Sequence, residues 1–257
     1  MKLLVKLGGT LLDAAESRDR VATQIACARA GGIEITVVHG GGKQMTRYLA
    51  ERGIESRFVN GLRVTTPETI DAVLKVFAGS VNHELVAGLN RAGALAVGLS
   101  GIDGLLAEAE QMDPALGAVG RVTGSHPALL DVLTTNGFLP VVACVAGDRQ
   151  GNIYNVNADQ MAVACAAAFR ADQLIFLTDV DGVLDAAKQI RPTLTAAESR
   201  ALIANGVATG GMQAKLNAAL AALEGGVSRV RIAPGAADRV LERILAGESI
   251  GTRMVLQ

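Results

Sequence analysis

Two apolar runs that end abruptly in glycines constrain this chain more than any other feature of its sequence. The first is Val5-Lys6-Leu7 followed by Gly8-Gly9, and the second is Val37-Val38-His39 followed by Gly40-Gly41-Gly42. A helix-like segment comes after each run, so backbone N–H groups at a helix N-terminus are exposed without side chains to block an anion. Two such junctions predict a protein that binds phosphate, carboxylate or both.

Short apolar runs alternate with amphipathic segments along the chain, which predicts an α/β fold with a mainly parallel sheet. Ligands bind at the carboxyl ends of the strands in such sheets, where both glycine junctions lie. The predicted strands are Leu3–Leu7, Ile35–Val38, Leu95–Leu99, Leu139–Val142, Gln173–Thr178 and Arg229–Ile232. The predicted helices are Ser17–Ala30, Lys43–Arg52, Pro67–Arg91, His126–Asn136, Asn157–Phe169, Ala196–Asn205, Gly211–Glu224 and Asp238–Leu245, some of them split.

The segments that connect the predicted strands and helices give only a weak indication of a domain boundary. Glycine-bearing or polar pieces at Phe58–Val64, Gly104–Val122 and Val145–Tyr154 are expected to be hairpins or loops. A boundary is expected at Arg170-Ala171-Asp172, which separates residues 1–170 from residues 171–257. Without a linker between them, the two parts are expected to share one continuous sheet.

Composition excludes several classes of protein. The formal charge is −1 and only 3% of residues are aromatic, so nucleic-acid binding has neither an electrostatic driver nor stacking platforms. Cys27, Cys144 and Cys165 lack metal-ligand spacing and are expected to be buried thiols in a reducing cytosol. A lysine at position 6 interrupts the first apolar run, which argues against a signal peptide, and no run is long enough to span a membrane. We therefore expect a cytoplasmic protein.

The glycines do not fit three better-known motifs. A phosphate-binding P-loop needs Ser or Thr after its lysine, but Gln44 follows Lys43. The spacing of Gly40-Gly41-Gly42 does not match Gly-x-Gly-x-x-Gly. His-Gly-Gly-Gly also occurs in the oxyanion hole of some esterases, but the nearest nucleophile elbow, Gly98-Leu99-Ser100-Gly101-Ile102, lacks the final glycine.

Four further sites are candidates, and each has a structural alternative. Lys6 lies inside a predicted strand, where it either reaches an anion or extends to solvent from a sheet edge. Asn155-Val156-Asn157-Ala158-Asp159-Gln160 either lines a site or only caps a helix. Thr209-Gly210-Gly211-Met212-Gln213-Ala214-Lys215 is an anion site or a plain helix start. Arg63, at a hairpin tip, binds a carboxylate or is solvated.

In this order and at these intervals the motifs together resemble the acetylglutamate kinase branch of the amino acid kinase family. The resemblance covers essentially the whole chain and implies that family's fold, a three-layer α/β/α sandwich around a mainly parallel central sheet. The matching pieces are Val5–Gly9, Val38–Gly42, Asn60–Thr65, Gly98–Gly104, Asn155–Gln160, Leu177–Leu184 and Gly210–Lys215.

The resemblance implies ATP-dependent phosphorylation of the side-chain carboxylate of N-acetyl-L-glutamate, in arginine biosynthesis. Residues 1–170 would bind the amino-acid substrate and form a homodimer, and residues 171–257 would bind ATP, with Mg²⁺ held mainly by the nucleotide phosphates and no metal site in the protein. Lys6 and Lys215 would neutralise the transferred phosphoryl group, and Asp159 would orient both. The substrate-binding residues would be Gly41, Gly42, Arg63 and Asn155. The ATP-binding residues would be Gly8, Gly9, Asp179, Val180, Asp181, Gly182, Val183, Leu184, Thr209, Gly210 and Gly211.

Two departures and two rivals qualify the resemblance. The first strand begins at residue 2 or 3, as in short, arginine-insensitive, dimeric members, and Pro67–Arg91 is the expected dimer surface. Gly104-Leu105-Leu106 has one glycine where many relatives carry two. The rivals are a kinase of free or carrier-bound 2-aminoadipate in lysine biosynthesis, and a non-catalytic amino-acid sensor on the same fold.

Overall fold

Fourteen strands and nine α-helices make up the protein in a computed structural model that describes residues 1–257. The strands are β1 (Lys2–Leu7), β2 (Glu34–His39), β3 (Phe58–Val59), β4 (Leu62–Arg63), β5 (Ala96–Ser100), β6 (Ala107–Gln111), β7 (Val119–Ser125), β8 (Leu139–Ala143), β9 (Val145–Gly147), β10 (Ile153–Val156), β11 (Gln173–Thr178), β12 (Thr193–Thr195), β13 (Arg229–Pro234) and β14 (Thr252–Val255). The helices are α1 (Ala15–Ala30), α2 (Gly42–Ala50), α3 (Pro67–Val73), α4 (Asn82–Arg91), α5 (Ala128–Thr135), α6 (Ala158–Phe169), α7 (Ala196–Ala204), α8 (Gly210–Glu224) and α9 (Val240–Leu245).

One eight-stranded sheet forms the centre, in the order β12-β14-β13-β11-β1-β2-β8-β5. Every neighbouring pair is parallel except β13 and β14. Helices α1, α4 and α9 pack together on one face, and α5, α6 and α8 on the other. This arrangement confirms the predicted α/β fold with three layers and a mainly parallel sheet.

The six predicted strands are all present, as β1, β2, β5, β8, β11 and β13. Their observed ends differ from the predicted ones by at most two residues. Their side chains are buried on both faces in the middle of the sheet. Strands β8 and β11 are buried along their entire lengths. That is why continuous apolar runs, rather than alternating ones, marked them in the sequence.

The strands that the sequence analysis did not predict lie at an edge of the central sheet or outside it. Strands β12 and β14 lie at one edge of the sheet, and neither was predicted. The pieces expected to be hairpins or loops contain the β3–β4 hairpin and a small closed barrel, β10-β7-β6-β9. These strands are short or glycine-rich, so hydrophobic periodicity carries little signal for them.

The long helical stretch from Pro67 to Arg91 is continuous but not uniform. Between α3 and α4, residues Leu74–Val81 form a π-helix. A π-helical turn inserts one residue and rotates the side chains that follow it, so such turns often occur at functional sites. Here it places Phe77 and Val81 against Gly41, at the end of β2.

Most of the buried apolar side chains form one core, and one prediction about buried residues, that for Cys27, is wrong. A single cluster of 63 buried residues runs through both faces of the sheet. Cys144 and Cys165 are buried as expected, but Cys27 is exposed, because it lies on the outer side of α1. No helix of the chain is both long enough and apolar enough to cross a membrane.

The predicted lobe boundary at residues 170–171 lies between α6 and β11. The central sheet crosses it, because β1 from the first part pairs with β11 from the second, with Lys6 opposite Phe176. The shared sheet is therefore as expected, while the assignment of separate roles to residues 1–170 and 171–257 stays a prediction.

Candidate active site

Lys6 lies in the centre of the sheet, not at its edge. It occupies β1, opposite Val38 of β2 on one side and Phe176 of β11 on the other. Its side chain is only 7% exposed. The alternative of a lysine that extends to solvent from an edge strand is therefore excluded, and a buried ammonium group at this position needs a partner.

Asp159 is that partner, and it also faces Lys215. The Lys6 Nζ lies 2.6 Å from Asp159 Oδ1, and the Lys215 Nζ lies 3.7 Å from Asp159 Oδ2. Burial lowers the pKa of Lys215, while the neighbouring Asp159 carboxylate opposes that change. Two lysines and one aspartate leave one net positive charge in a poorly solvated place, which favours an anionic ligand.

The polar sequence around Asp159 is both a helix cap and part of the site. The Asn157 side chain accepts hydrogen bonds from the Asp159 and Gln160 amides, at 2.9 and 3.3 Å, and so begins α6. That cap fixes the first turn of the helix. It directs the Asp159 carboxylate toward β1 and α8, so the two interpretations of this motif are compatible.

The two glycine junctions meet at the carboxyl ends of β1 and β2. A Cβ atom built on Gly9 would lie 3.5 Å from the Gly42 nitrogen, so the junctions are in close contact. The Gly41 and Gly42 amides donate to no acceptor in the chain. The Gly8 amide instead donates to Leu177 O at 2.8 Å, so this group binds a phosphate only if that bond opens.

A cleft of about 680 Å³ opens above these junctions. Its lining brings together most of the predicted residues of the two substrates, and it is rich in cations and poor in apolar side chains. The predicted residues in it are Lys6, Gly8, Gly9, Gly41, Gly42, Arg63, Asp179 and Lys215. Sequence reasoning did not assign Lys43, Thr46, Arg47, Phe58 or Thr178 to the site, although they also line it.

Arg63 is a buried cation with no carboxylate partner in the chain. Its guanidinium donates to the Ser56 hydroxyl, to Thr46 Oγ1 at 2.8 Å and to Gly42 O at 3.2 Å. The Phe58 ring covers it, with 4.6 Å from Cζ to the ring centroid. Burial lowers its pKa. The surrounding neutral groups hold the guanidinium in place but leave its charge for a ligand.

Asn155 lies with Arg63 on a smaller cavity of about 170 Å³ behind the glycine loop. Its side-chain amide donates to Thr65 Oγ1 at 3.0 Å. This bond fixes the orientation of the side chain and leaves its carbonyl oxygen as an acceptor. Cys144 lines the same cavity, and burial raises the pKa of its thiol to about 12, so it behaves as an apolar group there.

The start of α8 lies on a second cleft of about 750 Å³, which reaches Asp159 and Lys215 from the other side. Gly210 and Gly211 line it, and their amides have no acceptor in the chain. Gly210 has φ +52°, in the left-handed region, which glycine adopts without strain. Thr209 precedes the helix, but its side chain makes no capping hydrogen bond.

The structure places one predicted ATP-binding segment only partly at these clefts. Asp179 lines the first cleft, and the residues after it lead away from it. Val183 is buried and its amide donates to Thr252 Oγ1 at 2.8 Å, while Val180 and Leu184 are exposed. Thr209, Val180, Asp181, Gly182, Val183 and Leu184 line none of the clefts described above.

No three His, Cys, Asp or Glu side chains lie close enough together to hold a metal ion. The cleft carries cations and backbone amides instead. Such a donor set suits the oxygens of phosphates and carboxylates, and any divalent ion there would be held mainly by those oxygens.

Comparisons with known proteins identify relatives that match the chain along nearly its whole length. Residues 1–234 match the model of the amino acid kinase family. An acetylglutamate kinase from Solibacter usitatus is 79% identical over 255 residues, covering 99% of both chains. An acetylglutamate kinase from Acidobacterium capsulatum is 46% identical over 243 residues, covering 94% of both.

A solved structure shows the same fold in a longer protein. The N-acetylglutamate synthase from Neisseria gonorrhoeae, complexed with coenzyme A and N-acetyl-glutamate, superposes with a TM-score of 0.89 at 26% identity. The match covers 100% of this chain and 59% of the synthase. With the family model and two full-length relatives in agreement, the chain belongs to the amino acid kinase family.

Proposed function

We propose that this chain transfers the terminal phosphoryl group of ATP to the side-chain carboxylate of N-acetyl-L-glutamate, and so forms N-acetyl-L-glutamyl 5-phosphate in arginine biosynthesis. The observation that carries the proposal is the buried Lys6–Asp159–Lys215 cluster between glycine-rich loops with free amides. The names of the full-length relatives support the choice of acceptor.

The chemistry needs no general base. A glutamate side chain has a pKa near 4.3, so the attacking carboxylate is already ionised at neutral pH. The difficulty is that two anions must approach each other in line, which requires charge neutralisation and positioning. Lys6 and Lys215 supply the positive charge from two sides, and Asp159 keeps both ammonium groups directed at one point.

The amino-acid substrate fits the part of the first cleft that Arg63 and the Gly41–Gly42 loop share. Arg63 binds one of its carboxylates, and the free amides of the loop bind oxygens. The Asn155 carbonyl oxygen accepts from the N–H of the acetamido group, because its amide is already held by Thr65.

ATP reaches the same cluster from the side of α8. Its phosphates contact the Gly210 and Gly211 amides and the Gly9 junction, and its nucleoside borders Asp179–Leu184. Mg²⁺ would enter with ATP, would be held mainly by the phosphate oxygens and would shield their charge, since the chain has no cluster of metal-binding side chains. Lys215 lines both clefts, so it contacts the phosphoryl group wherever the two substrates meet.

A hydroxylamine-trapping assay tests the function directly, because hydroxylamine converts an acyl phosphate into a hydroxamate that can be measured. The enzyme is incubated with Mg-ATP and N-acetylglutamate, glutamate, aspartate or 2-aminoadipate. We expect product with N-acetylglutamate alone. Faster turnover of 2-aminoadipate would favour the lysine-biosynthesis rival, and ATP binding without turnover of any acceptor would favour a sensor.

A homodimer remains part of the proposal. Leu74, Ala78 and Val86 are only partly buried on the helical stretch Pro67–Arg91, and Leu95, beside edge strand β5, is 60% exposed. These side chains would be covered by a second copy. Light scattering at micromolar concentration tests the mass, and a monomer would contradict the proposal.

The predicted insensitivity to arginine is tested by adding arginine to the hydroxylamine-trapping assay.

A further inference from the structure

His39 and Asn82 form a fully buried polar pair directly beneath the glycine loop. His39 is the last residue of β2 and is 0% exposed, and Asn82 is the first residue of α4 and is 2% exposed. The His39 ring contacts Gly40 O through Nδ1 at 2.8 Å and the Asn82 side-chain amide through Nε2 at 2.9 Å. Neither side chain touches the open cleft.

The partners of the ring determine where its proton lies. Gly40 O is a carbonyl, so His39 Nδ1 must donate to it. The Asn82 amide nitrogen is a donor, so His39 Nε2 must accept. Asn82 Nδ2 also donates to Val141 O at 2.9 Å, and this second bond fixes which end of the side chain faces the ring. Burial lowers the pKa of His39 to about 4, which keeps the ring neutral near pH 7.

The orientation of the Gly40 carbonyl determines the direction of the Gly41 N–H. Across a trans peptide bond the C=O of one residue and the N–H of the next point in opposite directions. Because His39 holds the Gly40 carbonyl inward, the Gly41 N–H points outward, away from the ring. That amide has no acceptor in the chain, and Gly41 lines both the first cleft and the smaller cavity.

The π-helical segment closes the loop from the side. A Cβ atom on Gly41 would lie 2.9 Å from Phe77 Cδ1 and 3.2 Å from Val81 Cγ2, both in Leu74–Val81. Asn82 follows this segment immediately. The π-helical segment therefore supplies the side chains that pack beside Gly41, and Asn82, directly after it, supplies the amide that orients His39.

We propose that His39 and Asn82 are positioning residues that hold the Gly40–Gly41 peptide with its N–H directed at an oxygen of the amino-acid substrate. The inference rests on the proposed function, because it assigns that amide to the acceptor and not to ATP. Neither residue touches a reacting atom, so both act through the glycine loop.

Steady-state kinetics of three variants test this role. His39→Leu removes both hydrogen bonds of the ring, Asn82→Leu removes the donor that fixes its tautomer, and His39→Asn keeps a donor near the position of Nδ1. Loss of an oriented amide for a charged oxygen should raise the KM for N-acetylglutamate roughly 10-fold or more in both leucine variants, and His39→Asn should recover most of it. The KM for ATP should stay within about twofold.

A matched control separates positioning from general disturbance of the strand. Thr36 is fully buried on the same strand and its hydroxyl makes no hydrogen bond, so Thr36→Val should leave both KM values unchanged. A folded His39→Leu variant with a wild-type KM for N-acetylglutamate would overturn the proposal. So would an equal rise in the KM for both substrates.

Nitrogen-15 NMR of the wild-type enzyme provides a second test, which does not depend on the kinetics of the variants. A spectrum of His39→Gln serves only to assign the His39 ring signals. We expect a neutral ring protonated on Nδ1 and a shift of the Gly41 amide signal when N-acetylglutamate is added. Protonation on Nε2, or an unmoved Gly41 signal at saturating N-acetylglutamate, would overturn the proposal.

The two proposals fail differently. If the wild-type enzyme gives no hydroxamate from N-acetylglutamate, the proposed function fails, whatever the tautomer of His39. If it gives the product but the variants leave the KM for N-acetylglutamate unchanged, only the positioning role fails.

Discussion

Lys6 and Asp159 form an ion pair of 2.6 Å in which each side chain is only 7% exposed. One residue comes from the central strand β1 and the other from the first turn of α6, so the pair joins the sheet to the helix layer. Desolvation of two charges offsets most of what their attraction contributes to stability, and such a pair is therefore better explained by chemistry than by folding. The second lysine, Lys215, adds the charge that this aspartate does not balance.

Replacement of either lysine should affect turnover more than binding. If Lys6 and Lys215 stabilise charge on the phosphoryl group in the transition state, Lys6→Ala and Lys215→Ala should each lower kcat by roughly 10²–10³-fold. The KM for N-acetylglutamate should change far less. Arg200→Ala is the control, because Arg200 is exposed, lies outside the proposed dimer surface and pairs only with Glu224. Wild-type kcat in either active-site variant would contradict the assignment.

The pH dependence of kcat/KM should report Lys215 in the free enzyme. Burial lowers its pKa from 10.5, and Lys215 acts only when protonated, so activity should be lost as pH rises through a value below 10.5. Asp159 raises that pKa, so Asp159→Asn should move the loss to a still lower pH. Lys215→Arg stays charged throughout this range and should lack the decline. The same alkaline decline in Lys215→Arg would assign it to another group.

Arg63 should act on one substrate only. Arg63→Lys keeps the charge but loses the planar fork, and with it a charged contact worth about 1.5–3 kcal/mol. We expect a higher KM for N-acetylglutamate with little change in the KM for ATP. Arg200→Lys, at an exposed surface pair with Glu224, is the control. Equal effects of Arg63→Lys on both substrates would show that Arg63 only supports the fold.

The central sheet could be predicted because its strands are buried on both faces. Apolar runs such as Gln173–Thr178 end where the burial ends, so composition alone located them. The π-helix at Leu74–Val81 could not be predicted, since its apolar sequence does not distinguish it from α-helix, and only the fold shows that it packs against Gly41. Exposure of Cys27 was missed for a related reason, because the hydrophobicity of a residue does not say which side of a helix it faces.

The candidate site was predictable where backbone geometry demands a residue type. Glycines at the strand ends and the Asn157 cap indicate where strands end and helices begin. Lys6 stands out because it is charged within an apolar strand. His39 did not stand out in the same way. Its partner Asn82 is 43 residues away, so only the fold shows that the two side chains meet.

Two neighbouring glycines should respond oppositely to the same substitution. A methyl group on Gly41 would lie 2.9 Å from Phe77, whereas one on Gly42 meets nothing within 4 Å. Gly41→Ala should therefore destabilise the fold by about 1–3 kcal/mol and lower Tm by several degrees. Gly42→Ala should leave Tm unchanged or slightly higher, because Gly42 is in the first turn of α2. Thermal melts of the two variants compare them directly, and equal melting temperatures would be inconsistent with the close packing of Gly41.

Thr252 should matter for ATP although it lies far along the chain from the other candidates. Its buried hydroxyl accepts from the Val183 amide at 2.8 Å and so ties the segment Asp179–Leu184 to strand β14. Thr252→Val keeps the shape of the side chain and leaves the buried Val183 N–H without an acceptor, at a cost of about 1–3 kcal/mol. We expect the Asp179–Leu184 segment to move and so to relieve that cost. If this segment borders the nucleotide, the KM for ATP rises while the KM for N-acetylglutamate stays constant. Thr193→Val, at an exposed position on the neighbouring strand β12, is the control. If Thr252→Val lowers Tm but leaves the KM for ATP unchanged, then Asp179–Leu184 supports the fold without contributing to the nucleotide site.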